Sequence, residues 1–211
     1  MIININKPAG WTSFDVVKKV RGIIKEKKVG HAGTLDPFAE GVLVLGTGSD
    51  TKKLTDITTA NKTYWAELTL GKATDTQDRD GKISVVEVVP ELTKETIAAV
   101  LASFDGPQEQ IPPMYSAKHV NGQRLYKLAR KNKTVERAPV RISIEQISLL
   151  DYTEPVITFK VTCSKGTYVR VLGADIAVKL GTVGHLTALT RTSVGSYHIA
   201  DAKTIEELSN S

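Results

Sequence analysis

Thr63-Tyr64-Trp65-Ala66-Glu67-Leu68-Thr69-Leu70 puts an apolar residue at every second position. Tyr64, Ala66, Leu68 and Leu70 alternate with Thr63, Trp65, Glu67 and Thr69, the period of a half-buried β-strand. Upstream, Val42-Leu43-Val44-Leu45 is apolar throughout and reads as a buried strand, and Ile2-Ile3-Asn4-Ile5 as a short one. Between these two, Thr12 or Ser13 caps a helix with Phe14, Val17, Val20 and Ile24 as its apolar face and the basic run Lys25-Glu26-Lys27-Lys28 at its far end. Downstream, residues 74–81 read as acidic loop and 83–89 as a β-branched strand. Residues 93–104 read as a helix with Ile97, Val100, Leu101 and Phe104 inward, stopped by Gly106-Pro107. Pro112-Pro113 and an Asn121-Gly122 turn precede a basic helix over 125–130, followed by long strands near 140–150 and 156–163. Gly166-Thr167-Tyr168 opens a helix closed by Gly181, and a last strand covers 186–192. Strands and helices are interspersed without regular βαβ alternation. This predicts an α+β fold, a mixed and largely antiparallel central sheet with flanking helices and loops.

The 211 residues, 41% hydrophobic and 24% charged, fit one globular domain or a domain with small appendages. Lys and Arg number 28 against 23 Asp and Glu, a net charge of +5 that suits a polyanionic partner without requiring one. The single cysteine, Cys163, excludes an internal disulfide and fits a reducing, cytoplasmic setting. Residues 1–6 are too short for a signal-peptide core, and no apolar run approaches the roughly 20 residues of a membrane span.

Several motifs fail on inspection. Thr76-x-Asp78-x-Asp80-Gly81-x-Ile83 with Glu87 follows a calcium-loop pattern except at its first ligand, which must be a carboxylate and is Thr76. Its flanks read as strands instead of two helices, so an acidic loop is favoured. His31, His119, His185 and His198 have no metal-ligand spacing. Gly46-Thr47-Gly48 lacks the context of a phosphate-binding loop and reads as a turn. What remains is Gly30-His31-Ala32-Gly33-Thr34-Leu35-Asp36-Pro37, an acid in a glycine-punctuated loop whose backbone the following proline pushes towards extended angles. Such restriction suits a carboxylate projected into a site, although Asp before Pro is also an ordinary turn starter.

The wider pattern is more specific. Lys7-Pro8-x-Gly10-x-Thr12-Ser13-x-Asp15-Val16-Val17, the 30–37 motif with Gly41-Val42-Leu43, and Thr74-Asp75-Thr76-x-Asp78 occur in order. Gln110-x-Pro112-Pro113-x-Tyr115-Ser116-Ala117, Gly122-x-Arg124-Leu125-Tyr126-x-Leu128-Ala129-Arg130 and Cys163-Ser164-Lys165-Gly166-Thr167-Tyr168-Val169-Arg170 follow. This succession, running on to Arg191, resembles the signatures of TruB-type tRNA pseudouridine synthases. The resemblance implies isomerisation of a uridine to pseudouridine in the T-loop of tRNA, at position 55, with no cofactor and no metal.

It also implies roles. Asp36 matches the family's catalytic aspartate. A carboxylate beside a nucleobase loses water and needs a cation to stay charged, and Arg170 matches the family's partner for it. Tyr64 resembles the residue that stacks on the target base, its hydroxyl free to relay a proton. Tyr168 and Leu189 resemble pocket-lining residues, and Asp78 a polar contact to the uracil. His31 resembles the group that takes the place of the extruded base. Lys7 and the cluster at 25–28 are expected to meet phosphates. The insertion around residues 107–135 resembles the family's RNA-gripping segment. Thr190 stands where the family often has arginine, and Ser49-Asp50-Thr51-Lys52 replaces a commoner ending. Only residues 196–211 follow the last motif, so the expectation is one catalytic domain over 1–211 with no C-terminal PUA domain, working as a monomer on the T-arm without an obligatory protein partner. Two rivals stand beside this reading: a guide-RNA-dependent synthase of the dyskerin type, and a non-catalytic tRNA-binding or folding protein.

Overall fold

The computed structural model describes residues 1–116, 118–120, 122–129, 131 and 133–210; Ala117, Asn121 and Arg130, quoted above, lie outside the described residues. In chain order the elements begin with β1 (Ile2–Lys7), α1 (Ser13–Ile24), β2 (Val29–His31), β3 (Glu40–Thr47), α2 (Leu54–Thr59) after a 3₁₀ turn, β4 (Lys62–Leu70) and β5 (Lys72–Thr74). Next come β6 (Ile83–Val86), α3 (Lys94–Ala102), β7 (Gly106–Gln110), β8 (His119–Val120), β9 (Gln123–Arg124), α4 (Leu125–Ala129) and β10 (Val140–Thr153). The chain continues with β11 (Val156–Cys163), α5 (Val169–Lys179), β12 (Gly184–Val194), β13 (Tyr197–His198) and α6 (Ile205–Ser209). Among the described residues, nine strands form one sheet in the order β1-β3-β12-β4-β11-β10-β7, with β2 beside β3 and β13 beside β12. The sheet is mixed: β1, β2 and β3 pair antiparallel, as do β7 and β10, whereas β12 runs parallel to β3. The expected fold class is the one observed. Among the described residues no helix is long and apolar enough to cross a membrane.

The chain divides into two compact units, residues 1–66, 160–165 and 188–211 in the first, 67–159 and 166–187 in the second. In the first, Leu43 and Leu45 on β3 pack with Ile3 and Ile5 of β1 and Val16, Val17 and Val20 of α1. Val42 and Val44, pointing the other way, pack with Ala32, Leu54 and Val194. Both faces of β3 are therefore covered, which is why its sequence shows no alternation. Helix α1 is entered through a capping box in which the Thr12 hydroxyl accepts from the Asp15 amide and the Asp15 carboxylate accepts from the Thr12 amide. That start fixes the helical phase so that Ser13, Val16, Val17 and Val20 face inward. Phe14, read from sequence as part of the apolar face, is 62% exposed. It shares its face with Lys18, four residues on.

In the second unit α3 is capped by Thr93 and buries Ile97 and Leu101. Helix α5 lies so near β12 that a Cβ on Gly173 would stand 2.9 Å from Leu186 Cδ2. Strand β6 is shorter than the 83–89 reading and exposed along its length. Strand β4 keeps the alternation that opened the sequence reading: Lys62, Tyr64, Ala66, Leu68 and Leu70 are buried, the residues between them half-buried.

One position tests how tightly β3 and β12 approach. Gly41 has φ +103°, and a Cβ there would meet the Arg191 carbonyl oxygen at 2.3 Å. Gly41→Ala is expected to lower unfolding free energy by about 3 kcal/mol or more, read from urea denaturation; a loss under about 1 kcal/mol would mean that this approach is not a constraint.

Candidate active site

In the first unit, the antiparallel partners β2 and β3 are joined by the loop that carries Asp36. Each of its central carbonyls has a donor. Arg191 Nη2 donates to Gly33 O at 3.1 Å and Nη1 to Thr34 O at 3.5 Å. Ser13 Oγ donates to Leu35 O at 3.2 Å and accepts from the Leu35 amide at 2.9 Å. The Ala39 amide donates to Asp36 O at 3.2 Å, and Pro37 O accepts from the Gly10 amide at 2.7 Å and from Lys7 Nζ at 3.4 Å. A loop held at five consecutive carbonyls has little freedom, and its half-buried carboxylate inherits that fixity.

The donors include two buried cations. Lys7 has no exposed surface, and its ammonium also donates to Trp11 O at 2.6 Å and Pro8 O at 2.9 Å. Arg191 is 1% exposed and its Nε donates to Val42 O at 2.8 Å. A third, Lys62, donates to Thr58 O and Ala60 O, both at 2.6 Å. Burial pulls the Lys7 ammonium down to about 8, with Asp36 and Glu40 opposing the shift and Arg191 adding to it. Burial likewise brings Lys62 to about 8, again with Arg191 adding. The Tyr64 phenol is pushed up by burial, while the nearby Arg191 pulls it down and Asp36 pushes it up. It stays protonated at neutral pH, as a hydroxyl that passes a proton must. Burial, aided by Arg191 and opposed by the Gly33 backbone, lowers His31 below the ordinary imidazole value. Leu189 is buried on β12.

In the second unit, Arg170 and Asp78 form a buried ion pair at 3.5 Å, their side chains 3% and 8% exposed. Arg170 also donates through Nη1 to Thr76 O at 2.7 Å and through Nη2 to Tyr115 O at 2.9 Å. Asp78 Oδ1 accepts from Thr76 Oγ1 at 2.7 Å and from the Asp80 amide at 3.1 Å. The acidic turn is thus an internally bonded structure whose carboxylate Arg170 holds. Among the described residues no three His, Cys, Asp or Glu side chains converge as metal ligands. Tyr168, just before α5, is clamped by Gln110, which accepts from its amide at 2.8 Å and donates to its carbonyl at 3.1 Å.

Residues 21–169 match the family model described as TruB family pseudouridylate synthase (N terminal domain). The chain is 49% identical over 207 residues to the tRNA pseudouridine synthase B of Clostridium kluyveri, covering 98% of this chain and 71% of that one. The chain belongs to the TruB family. It is also 46% identical over 218 residues to the tRNA pseudouridine synthase B of Lactococcus lactis subsp. lactis, covering 98% of this chain and 65% of that one. Among solved structures it resembles a chain in the crystal structure of a Cbf5-Nop10-Gar1 complex, with TM-score 0.79 and 27% identity, over 99% of this chain and 53% of that one.

Within this TruB chain the first unit gathers Asp36, Tyr64, Lys7 and His31 around Arg191, and the second joins Asp78 to Arg170. Lys7 needs correction as a phosphate contact: its ammonium is enclosed and spent on carbonyls, so it holds the Asp36 loop instead. Its burial was signalled by the alternation of β1, which places Lys7 on the same face as Ile3 and Ile5. By contrast, Lys25, Lys27 and Lys28 are exposed. In the sequence reading Arg191, Lys62 and Gln110 had no role in the site, and Ser13 only that of a candidate helix cap.

The buried lysines make stability depend on pH. Lys7 and Lys62 keep the ordinary value of 10.5 when unfolded but lose their protons near 8 when folded. Between these values the unfolded chain binds more protons, so their contribution to stability rises with pH; below pH 8 the cost of burying both charges is felt in full. Replacing Lys62 with Met should therefore flatten the rise in unfolding free energy between pH 7.5 and 9.5, measured in urea. Identical slopes for the variant and the wild type would contradict the assignment.

Proposed function

We propose that this chain isomerises a uridine to pseudouridine in the T-loop of transfer RNA, position 55, with Asp36 as the essential carboxylate and Tyr64 and Arg170 as the other catalytic residues. The observation that carries the reading is the Asp36 loop, held at every carbonyl from Gly33 to Pro37 in a chain of the TruB family. The reaction breaks the bond between the ribose and the base nitrogen, turns the base, joins C5 to the same ribose carbon and moves the C5 proton away. Nothing is added or removed overall, so the demand on the protein is geometric: to hold the ribose while the base turns. A fixed carboxylate meets that demand either as a nucleophile at the ribose or as a base and charge stabiliser. The Tyr64 ring offers a stacking platform and its protonated hydroxyl a relay for the C5 proton.

A base within a folded T-loop must leave its stack to be reached, and the His31 ring, whose proton affinity burial lowers, suits the vacated place. The exposure of Lys25, Lys27 and Lys28 supports a role for them in meeting phosphates, and the segment around 107–135 is assigned to gripping the RNA. Leu189, Tyr168 and Asp78 complete the residues assigned to the target nucleotide. Identities of 46 to 49% to tRNA pseudouridine synthases, against 27% to a chain of the Cbf5-Nop10-Gar1 complex, favour a tRNA substrate handled without a guide RNA or protein partner.

Purified protein incubated alone with unmodified tRNA is expected to yield pseudouridine at the T-loop uridine. Asp36→Asn, which keeps shape and removes charge, should bind the tRNA within a few-fold of wild type and make no product. Binding by the wild type without product would favour an RNA-folding role, and turnover by Asp36→Asn would remove the carboxylate from the mechanism.

Tyr64→Phe keeps the ring and removes the hydroxyl. Its single-turnover rate should fall by about a hundredfold with little change in tRNA affinity. An unchanged rate would leave Tyr64 with stacking alone.

A further inference from the structure

Arg191 spans both arms of the Asp36 loop. Its Nη atoms hold Gly33 O and Thr34 O, on the arm leading to Asp36, while its Nε holds Val42 O, on the strand that leads away. Its charge also bears on the Tyr64 phenol of a neighbouring strand. The parallel pairing of Arg191 with Gly41 sets its backbone, and the absence of a Cβ at Gly41 lets the two strands close to that distance. Among the described residues the hydrogen bonds of this guanidinium go to backbone carbonyls, which are neutral acceptors.

Burying a cation in that way is costly, and an apolar side chain of similar volume often gives equal or greater stability. What an apolar side chain lacks is a planar fork of five donors that fixes several acceptors relative to one another. The acceptors here belong to the two arms of the loop that presents Asp36.

We propose that Arg191 is a positioning residue for catalysis: by holding Gly33 O and Thr34 O on one arm of the loop and Val42 O on the other with one guanidinium, it sets where the Asp36 carboxylate stands. It touches no reacting atom. Its contribution comes through geometry, where a displacement of about 1 Å costs on the order of a hundredfold in rate. The proposal rests on the reading of this chain as a pseudouridine synthase.

The test uses the full chain with Arg191→Lys, which keeps the buried charge, and Arg191→Met, which removes it. Thermal unfolding identifies which variants fold. For a folded variant the expected single-turnover rate on tRNA is lower by about a hundredfold, with tRNA affinity within threefold of wild type. Amide hydrogen exchange in the RNA-free protein should quicken at residues 33–36 and stay unchanged in β1. A merely structural role would alter exchange throughout the unit. Wild-type rate, a slow rate with unchanged exchange at 33–36, or failure of both variants to fold would each overturn the proposal. Because exchange is read without any reaction, an inactive wild type would sink the functional reading while still showing whether Arg191 holds the loop.

Discussion

Five consecutive carbonyls, from Gly33 to Pro37, are fixed by donors from α1, β12, the turn after β1 and the loop itself, and the arrangement around them follows from that requirement. A loop between antiparallel neighbours ordinarily leaves its carbonyls to water. Here β1 ends in Lys7 instead of an apolar residue, α1 begins with Ser13 facing inward, and β12 runs parallel to β3 so that Arg191 lies beside Gly41. Each of these choices gives up packing that an apolar side chain would have supplied. Each places a donor on the loop.

The cost is electrostatic. Lys7, Lys62 and Arg191 are buried in one unit; burial lowers the values of both lysines, and the charge of Arg191 lowers them further. Donation to carbonyls offsets part of the desolvation, and Asp36 and Glu40 offset another part at Lys7. A positive interior behind a single presented carboxylate is a poor way to stabilise a small sheet. It is a good way to hold an anion in place and to favour a polyanionic substrate, and functional sites commonly trade stability in this manner.

Much of this was legible in the residues. The alternation at 63–70 located β4 and placed Tyr64 on its buried face, and the glycine-punctuated 30–37 motif located the Asp36 loop. The helical face of α1 was misjudged at Phe14 because hydrophobicity was weighed before phase, and the capping box at Thr12 and Asp15 fixes the phase. Arg191 could not be read as a brace because its partners lie about 150 residues away, joined only by the parallel pairing of β12 and β3, which no local pattern encodes. Arg170 stood out in the sequence only through the family resemblance, and its bonds to Asp78, Thr76 O and Tyr115 O again join segments far apart in sequence.

The central claim is that a rigidly held Asp36 acts on the ribose of an extruded uridine. Its most direct test is a structure of the Asp36→Asn chain bound to an unmodified T-arm stem-loop. The account predicts the target base out of its stack and against the Tyr64 ring, the residue 36 side chain at the ribose carbon that bears the base, and the backbone of residues 33–37 placed as it is without RNA. A target uridine still stacked in its loop, or residue 36 directed away from that ribose, would contradict it.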